Sequence, residues 1–369
     1  MIRGYLLMTL LGFCATGNLS AVASFTVTPA PEWAALFQRN SGWTGADGDF
    51  SVALSDTTTL WLFSDTFVGE VNGGHRTNTT MVNNSIALQS GRARPEFFYG
   101  RQPDGQPAAF IVPQDGRGYF WLFSGVRTKA GLRLFLENIE NVDHKSPFGF
   151  HLIGTWLGRV ANPDDPPPQW KLTQAKLPFG EFTSQGDLLF GSALLRAGGY
   201  VYVYGLDNRT GKKRLRDAMV VARVLEEQFD DFTQWRFYAA GQWQADWKKV
   251  ASLGAAAASE YSVSYLPTLK QYAAVYSGGI SGKIYLRFAS APVGPWTNPL
   301  LVYECPEQKW PGHCFCYAGK AHPELSTAPD ELLVSYAANS WSLAAVVNDA
   351  RLYWPRFIRL KFAPEAKAK

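Results

Sequence analysis

Five short aromatic segments recur along this chain, and that repeat restricts its fold more than any other feature. They read Leu60-Trp-Leu-Phe-Ser-Asp65, Tyr119-Phe-Trp-Leu-Phe-Ser124, Tyr200-Val-Tyr-Val-Tyr-Gly205, Tyr272-Ala-Ala-Val-Tyr-Ser277 and Leu332-Leu-Val-Ser-Tyr-Ala337. Aromatic and β-branched residues in runs of this length, bounded by turn signals, predict strands. Each copy follows a turn (55–58, 114–118, 196–199, 267–270, 327–330) and, before it, a weaker strand (51–54, 110–112, 192–195, 261–266, 323–325). Further strands follow most copies, such as 218–225 and 283–289. Units of this kind are too thin to bury their own faces, so they must stack on one another. The expectation is an all-β, five-bladed β-propeller of four-stranded antiparallel blades. Two β-sandwich domains are the alternative, but no linker divides the chain; Asn162-Pro-Asp-Asp-Pro-Pro-Pro168 is short and lies within the second repeat. Helical spacing is confined to 32–38 and to 242–253, where Trp243, Trp247 and Val250 recur.

Composition agrees with many strands joined by many turns. The 369 residues include 13 Trp, 16 Tyr, 24 Phe, 34 Gly and 22 Pro, with 46% hydrophobic and 18% charged residues. That excludes a disordered chain. Net charge is +4 with no run of five like charges, which does not support a nucleic-acid footprint. The densest basic cluster, Lys212, Lys213, Arg214 and Arg216, adjoins a turn signal and reads as a solvated loop. At the N-terminus, Arg3, an apolar run from Leu6 to Phe13 and the small-x-small Ala21-Val22-Ala23 predict a signal peptide over 1–23. The apolar run is too short to span a bilayer. The expectation is a secreted or periplasmic chain whose single domain, 24–369, acts as a monomer. Cys305, Cys314 and Cys316 would remain, enough for one disulfide around the 306–312 loop and one spare thiol. Their spacing is not a metal pattern.

Residues equidistant from a hairpin turn face each other, which places the polar residues. Centring the first turn near Thr57 sets Asp47 opposite Asp65. The same arithmetic sets Asp187 near Asp207 and Asn208, Glu260 opposite Tyr276 and Ser277, and His322 near Ser335. It also sets Asn339 opposite 318–320, and Asp104 near Arg127 and Thr128. One end of every hairpin is polar, and in a propeller those ends converge on a central funnel. Each Asp taken singly could instead cap its own turn, as Asp49 and Asp207 suggest. Gathered carboxylates suit glycoside chemistry, in which one stays protonated and the other ionised. Trp43, Trp243, Trp310 and Trp341 are candidate faces for sugar rings. There is no Gly-x-Ser-x-Gly elbow, phosphate-binding loop or His-Glu-x-x-His helix. No cofactor is implied, although a channel Ca²⁺ held by backbone and carboxylate oxygens is compatible with these residues.

The chain also resembles a known group. Gly42-Trp-Thr-Gly-Ala-Asp-Gly48, Leu60-Trp-Leu-Phe-Ser-Asp-Thr-Phe-Val-Gly69 and Asn83-Asn-Ser-Ile86 are similar to the opening blade of secreted bacterial propellers catalogued as domains of unknown function. Tyr317-Ala-Gly-Lys-Ala-His-Pro-Glu-Leu325 and Ser335-Tyr-Ala-Ala-Asn339 resemble their closing blade. Ala289-Ser-Ala-Pro-Val-Gly-Pro-Trp296 resembles a phrase of five-bladed arabinanase and xylosidase-like glycoside hydrolases. The resemblance implies a polysaccharide substrate, with endo-acting cleavage of D-arabinan as the lead. It also implies that Asp47 and Asp65 are the group's acidic pair and that His322 is the closing-blade channel residue. Ser64 departs from the Gly often found before that Asp.

Taken together, the sequence predicts a glycoside hydrolase acting on a furanose-containing or related glycan. Asp47, Asp65 and Glu260 are the candidate catalytic carboxylates; His322, Asp187, Trp43 and Asn339 are candidates for contacting substrate. A non-catalytic glycan-binding propeller is the competing reading, since unrelated functions share this fold.

Overall fold

A computed structural model describes residues 24–143, 149–210 and 216–363. The expected signal peptide over 1–23, and most of the basic 212–216 cluster, lie outside the described residues. The fold is all-β, and the described residues form seven antiparallel sheets: a three-stranded one of Ser41–Ala46, Thr66–Asn72 and His75–Val82, a two-stranded one of Gly100–Arg101 and Pro107–Ala108, and five larger ones that follow one another along the chain. The first joins Phe50–Ala53, Thr58–Phe63, Ser85–Ser90 and Glu96–Phe98. The second runs Tyr119–Thr128, Gly131–Asn141, Phe150–Val160 and Leu172–Lys176. The third has six strands, because Glu181–Thr183 and Gln242–Gln244 flank the four from Gly186–Ala197 to Arg236–Ala239. The fourth spans Tyr261–Leu266 to Leu300–Glu304. The fifth is closed by the two ends of the chain: Phe25–Pro29 pairs with Pro355–Phe362, followed by Glu331–Ser340 and Cys314–Ala321.

Phe50–Ala53, Tyr119–Thr128, Gly186–Ala197, Tyr261–Leu266 and Cys314–Ala321 contact one another in that order. The circuit closes where Ser51 Oγ meets His322 Nδ1 at 2.6 Å. All five strands line one central cavity of about 300 Å³. Packing between sheets supplies the cohesion. Trp61 and Phe63 of the first sheet, Phe357 of the fifth and Phe37 share one buried cluster. Phe37 and Trp33 lie four residues apart on the helix Pro31–Phe37, whose proline sits in its first turn where no N–H is needed. Phe37 stacks on Phe357 at 5.5 Å and meets Trp61 edge-on at 4.9 Å. Truncating such a residue to Ala costs about 3–5 kcal/mol.

Several expectations change. Four of the aromatic segments are the second strand of their sheet, but Tyr119–Ser124 belongs to the innermost strand of the second. Residues 110–112 form no strand, and Pro323–Leu325 is a 3-10 turn. The helical spacing at 242–253 becomes the strand Gln242–Gln244 and a 3-10 turn Trp247–Lys249, because Trp243 packs against Tyr202 and Tyr238 across the sheet. Cys305, Cys314 and Cys316 are buried free thiols. No helix among the described residues is long and apolar enough to cross a membrane.

Candidate functional site

The first hairpin delivers the carboxylate pair. Phe50 is in register with Leu62, and continuing that ladder outward sets Asp47 opposite Asp65. The Asp47 N–H donates to the Asp65 carbonyl (3.3 Å), and the Ser64 N–H donates to the Asp47 carbonyl (2.9 Å). Opposed residues of an antiparallel pair project to the same side, with Cβ atoms about 4.5–5.5 Å apart. Both side chains are half-buried.

Their hydrogen-bond partners come from other parts of the circuit. The Tyr317 hydroxyl of the fifth sheet and the Tyr353 hydroxyl (2.9 Å) both donate to Asp47 Oδ2. Asp65 Oδ1 accepts from the Trp121 indole N–H of the second sheet (3.0 Å) and from the Asn83 amide (3.3 Å). Burial raises the Asp47 carboxyl, while the two hydroxyls and the Lys320 charge act in the opposite direction. Burial, with the Asp47 charge added, pushes Asp65 up to about 7, and its neutral donors offset this only in part. The pair is therefore built asymmetrically: hydroxyl donors and a cation favour the ionised form of Asp47, while Asp65 holds its proton near neutrality.

Glu260 precedes the inner strand of the fourth sheet. Its carboxylate lies 3.5 Å from Lys320 Nζ, and burial pushes it up to about 7. Asp49 sits at φ 52°, a turn conformation, but both its side-chain oxygens are buried without a hydrogen-bond partner, so it does not cap its turn as expected. Asp187 is half-buried, with its backbone N–H bound to Asn208 Oδ1 at 2.6 Å as the hairpin arithmetic requires. Its charge bears on Glu137, a fully buried carboxyl pushed up to about 8 by desolvation.

Other expected residues play different parts. Trp43 is buried, stacked on Phe97 at 4.1 Å, with its indole N–H bound to Ser85 Oγ (3.1 Å); it supports the floor of the site and offers no face to a sugar. His322 is 1% exposed; Nδ1 meets Ser51 and Nε2 meets Ser335 (2.8 Å), so it belongs to the channel wall. Burial holds it well below the usual imidazole range, hence neutral. Asn339 lies opposite Phe315 and not opposite 318–320: Lys320 pairs with Ser335, so the hairpin centres earlier than the 327–330 turn implies, and the bulge between Tyr317 and Lys320 shifts the register by one residue more. Its amide donates to the Tyr317 hydroxyl at 3.3 Å, one step behind Asp47. Asp104 caps its own turn at the Gln106 N–H, and Arg127 pairs with Asp164 at 2.8 Å. Trp341 is 49% exposed, Trp310 lies against Arg351 and Arg356, and Trp243 packs on Arg223.

Sequence reasoning missed Trp121, Asn83, Tyr317, Tyr353 and Lys320. Asn83, Tyr317 and Lys320 stand inside motifs that pointed to the site, whereas nothing local marks Tyr353 or Trp121. Among the described residues, no group of three or more His, Cys, Asp or Glu is arranged to hold a metal ion.

The profile of the family described as "Domain of unknown function (DUF5005)" matches residues 31–362. No curated protein matches the chain. A presumed hydrolase from Bacteroides ovatus is similar in structure with a TM-score of 0.73 at 20% identity, over 91% of this chain and 90% of that one; the two share a fold. A GH43_1 enzyme from Xanthomonas citri aligns at 0.48 and 14% identity, over 93% and 92% of the two chains. A thermostable family-43 glycoside hydrolase aligns at 0.46 and 13%, over 90% and 97%.

Proposed function

This chain belongs to the DUF5005 family, and we propose that it is a secreted glycoside hydrolase, a five-bladed β-propeller that cleaves a furanose-containing or related polysaccharide. The observation that carries this reading is the opposed Asp47–Asp65 pair: burial raises both carboxyls, but hydroxyl donors and the Lys320 charge act against that rise at Asp47, while Asp65 is pushed up to about 7. That division is what two-carboxylate glycoside cleavage needs. Asp65 donates a proton to the departing glycosidic oxygen, and Asp47 attacks the anomeric carbon. Asp65, now ionised, then takes a proton from the water that releases the sugar. This course retains the anomeric configuration and requires the two carboxyls about 5–5.5 Å apart. Glu260 lies in the same electrostatic group as a supporting carboxyl.

Support for the fold comes from the five sheets around one cavity and from the shared fold of the Bacteroides ovatus protein. The furanose lead comes from the opening and closing motifs. The pair is held by hydroxyl, indole and amide donors from distant parts of the chain, an arrangement that tunes proton affinity beyond what glycan binding alone requires. The test is release of reducing sugar from a panel of arabinans, xylans and fucosylated glycans by purified protein. Asp47→Asn and Asp65→Asn should each lower kcat/KM by about 10²–10⁴-fold. Full activity in both variants would overturn the assignment.

A further inference from the structure

We infer that Lys320 is the positioning residue of the site: its ammonium sets which carboxyl of the cluster is ionised while bolting the Asp47 loop to the fifth sheet. The inference rests on the glycosidase reading for its role in turnover.

The geometry is that of a saturated buried cation. Lys320 is 2% exposed, and an ammonium has three donors. All three are used: the Gly48 carbonyl, the Ala318 carbonyl at 2.7 Å and Glu260 at 3.5 Å. Its Nζ also lies 4.5 Å from the Phe50 ring centroid, a cation–π contact. The bulge between Tyr317 and Lys320 makes this placement. Ala318 adopts φ 59°, which turns its carbonyl onto the ammonium, and the strand resumes with Lys320 pointing into the circuit. The same bulge presents the Tyr317 hydroxyl to Asp47.

Around this ammonium stand Asp47 and Asp49 from the loop before the first inner strand, Glu260 from the approach to the fourth, and Tyr317 and His322 on its own segment. Asp65 and Tyr353 face Asp47 from the far side. Among the described residues, Glu260 alone forms an ion pair with Lys320; Asp47 and Asp49 sense its charge at longer range. The carboxyls therefore outnumber the cation. One proton or more must remain in the cluster, and the hydroxyl donors leave Asp47 the group best able to do without one.

An opposite charge lowers a nearby carboxyl, so removing it must raise that carboxyl, and at the longer range of Asp47 the effect sits at the low end of the roughly 1–3 pH units of a close pair, at about one. In Lys320→Met the acid limb of kcat/KM should move to higher pH by about one unit. Lys320→Arg keeps the charge and should hold the Asp47 titration near its wild-type midpoint. Carbon-13 carboxyl NMR of Asp47 reads both variants without turnover, and if Lys320→Met folds poorly, Lys320→Gln, which keeps a polar donor, carries the test of the charge. An Asp47 midpoint unmoved on loss of the charge, or moved as much by Lys320→Arg, would overturn the inference. A wild-type protein that cleaves no glycan overturns the glycosidase reading instead, and the NMR titrations then still decide the role of Lys320.

Discussion

Trp121 does two things at once: its indole N–H holds Asp65 at 3.0 Å, and its ring forms an edge-to-face pair with Phe150 at 4.7 Å. A hydrogen bond to a charged acceptor contributes roughly 1.5–3 kcal/mol, equivalent to about one pH unit or more. Because that bond favours the ionised form of Asp65, Trp121→Phe should drive the carboxyl above its present value of about 7. The basic limb of the pH profile, where the proton donor is lost, then moves to higher pH. Tyr317→Phe removes a donor from Asp47 and should move the acid limb upward instead. Measuring kcat/KM against pH for both variants tests the division of roles, and two variants shifting the same limb would refute it. At this scale the sequence was informative about acids and silent about donors. Asp47 and Asp65 are related by one hairpin, so counting from the turn finds them. Trp121 and Tyr353 reach the pair from 56 and 306 residues away, and no local pattern encodes such a meeting.

Among the elements, the bulged strand Cys314–Ala321 shapes the site most. Gly319 is required there by close approach: a Cβ would lie 2.7 Å from Ser277 Oγ, the atom that accepts the Gly319 N–H at 2.8 Å. Gly319→Ala should therefore cost about 1–3 kcal/mol, read from chemical denaturation, and lower activity through Lys320 and Tyr317. An unchanged midpoint with normal kcat/KM would show that the bulge tolerates the methyl and that this account of the strand is wrong. The bulge adds only one residue to the misplacement of Asn339; most of it comes from a connection that centres earlier than the 327–330 turn implies, since Lys320 pairs with Ser335. The second sheet was misread for a related reason. Its aromatic segment looks like the other four, yet it lies innermost, so composition identified a buried strand without saying which neighbour it has.

For the whole molecule, closure is the central fact. The strand Phe25–Pro29, from one end of the described chain, completes a sheet whose other three strands come from the opposite end. Deleting residues 24–30 strips the partner from Pro355–Phe362 and leaves an unpaired edge two strands from Cys314–Ala321, which carries Lys320 and Tyr317. A fall in melting temperature of about 5 °C or more is expected. A truncated protein that melts and behaves as the full chain does would count against this closure. Cleavage after Ala23, as proposed for export, would spare the strand.

The amino-acid sequence by itself determined the all-β class, the recurring aromatic strands and the facing of Asp47 with Asp65. These follow from period-two patterning, turn chemistry and hairpin symmetry, all of which act within a few tens of residues. Only the tertiary structure decided what the carboxylates experience. It walled in Trp43, set His322 into the channel, and brought two tyrosines, an indole and one buried ammonium to the acids from distant sheets. A carboxyl's proton affinity depends on desolvation and on charges within a few ångströms, and in a closed circuit of sheets those neighbours are set by the closure and not by the chain's local order.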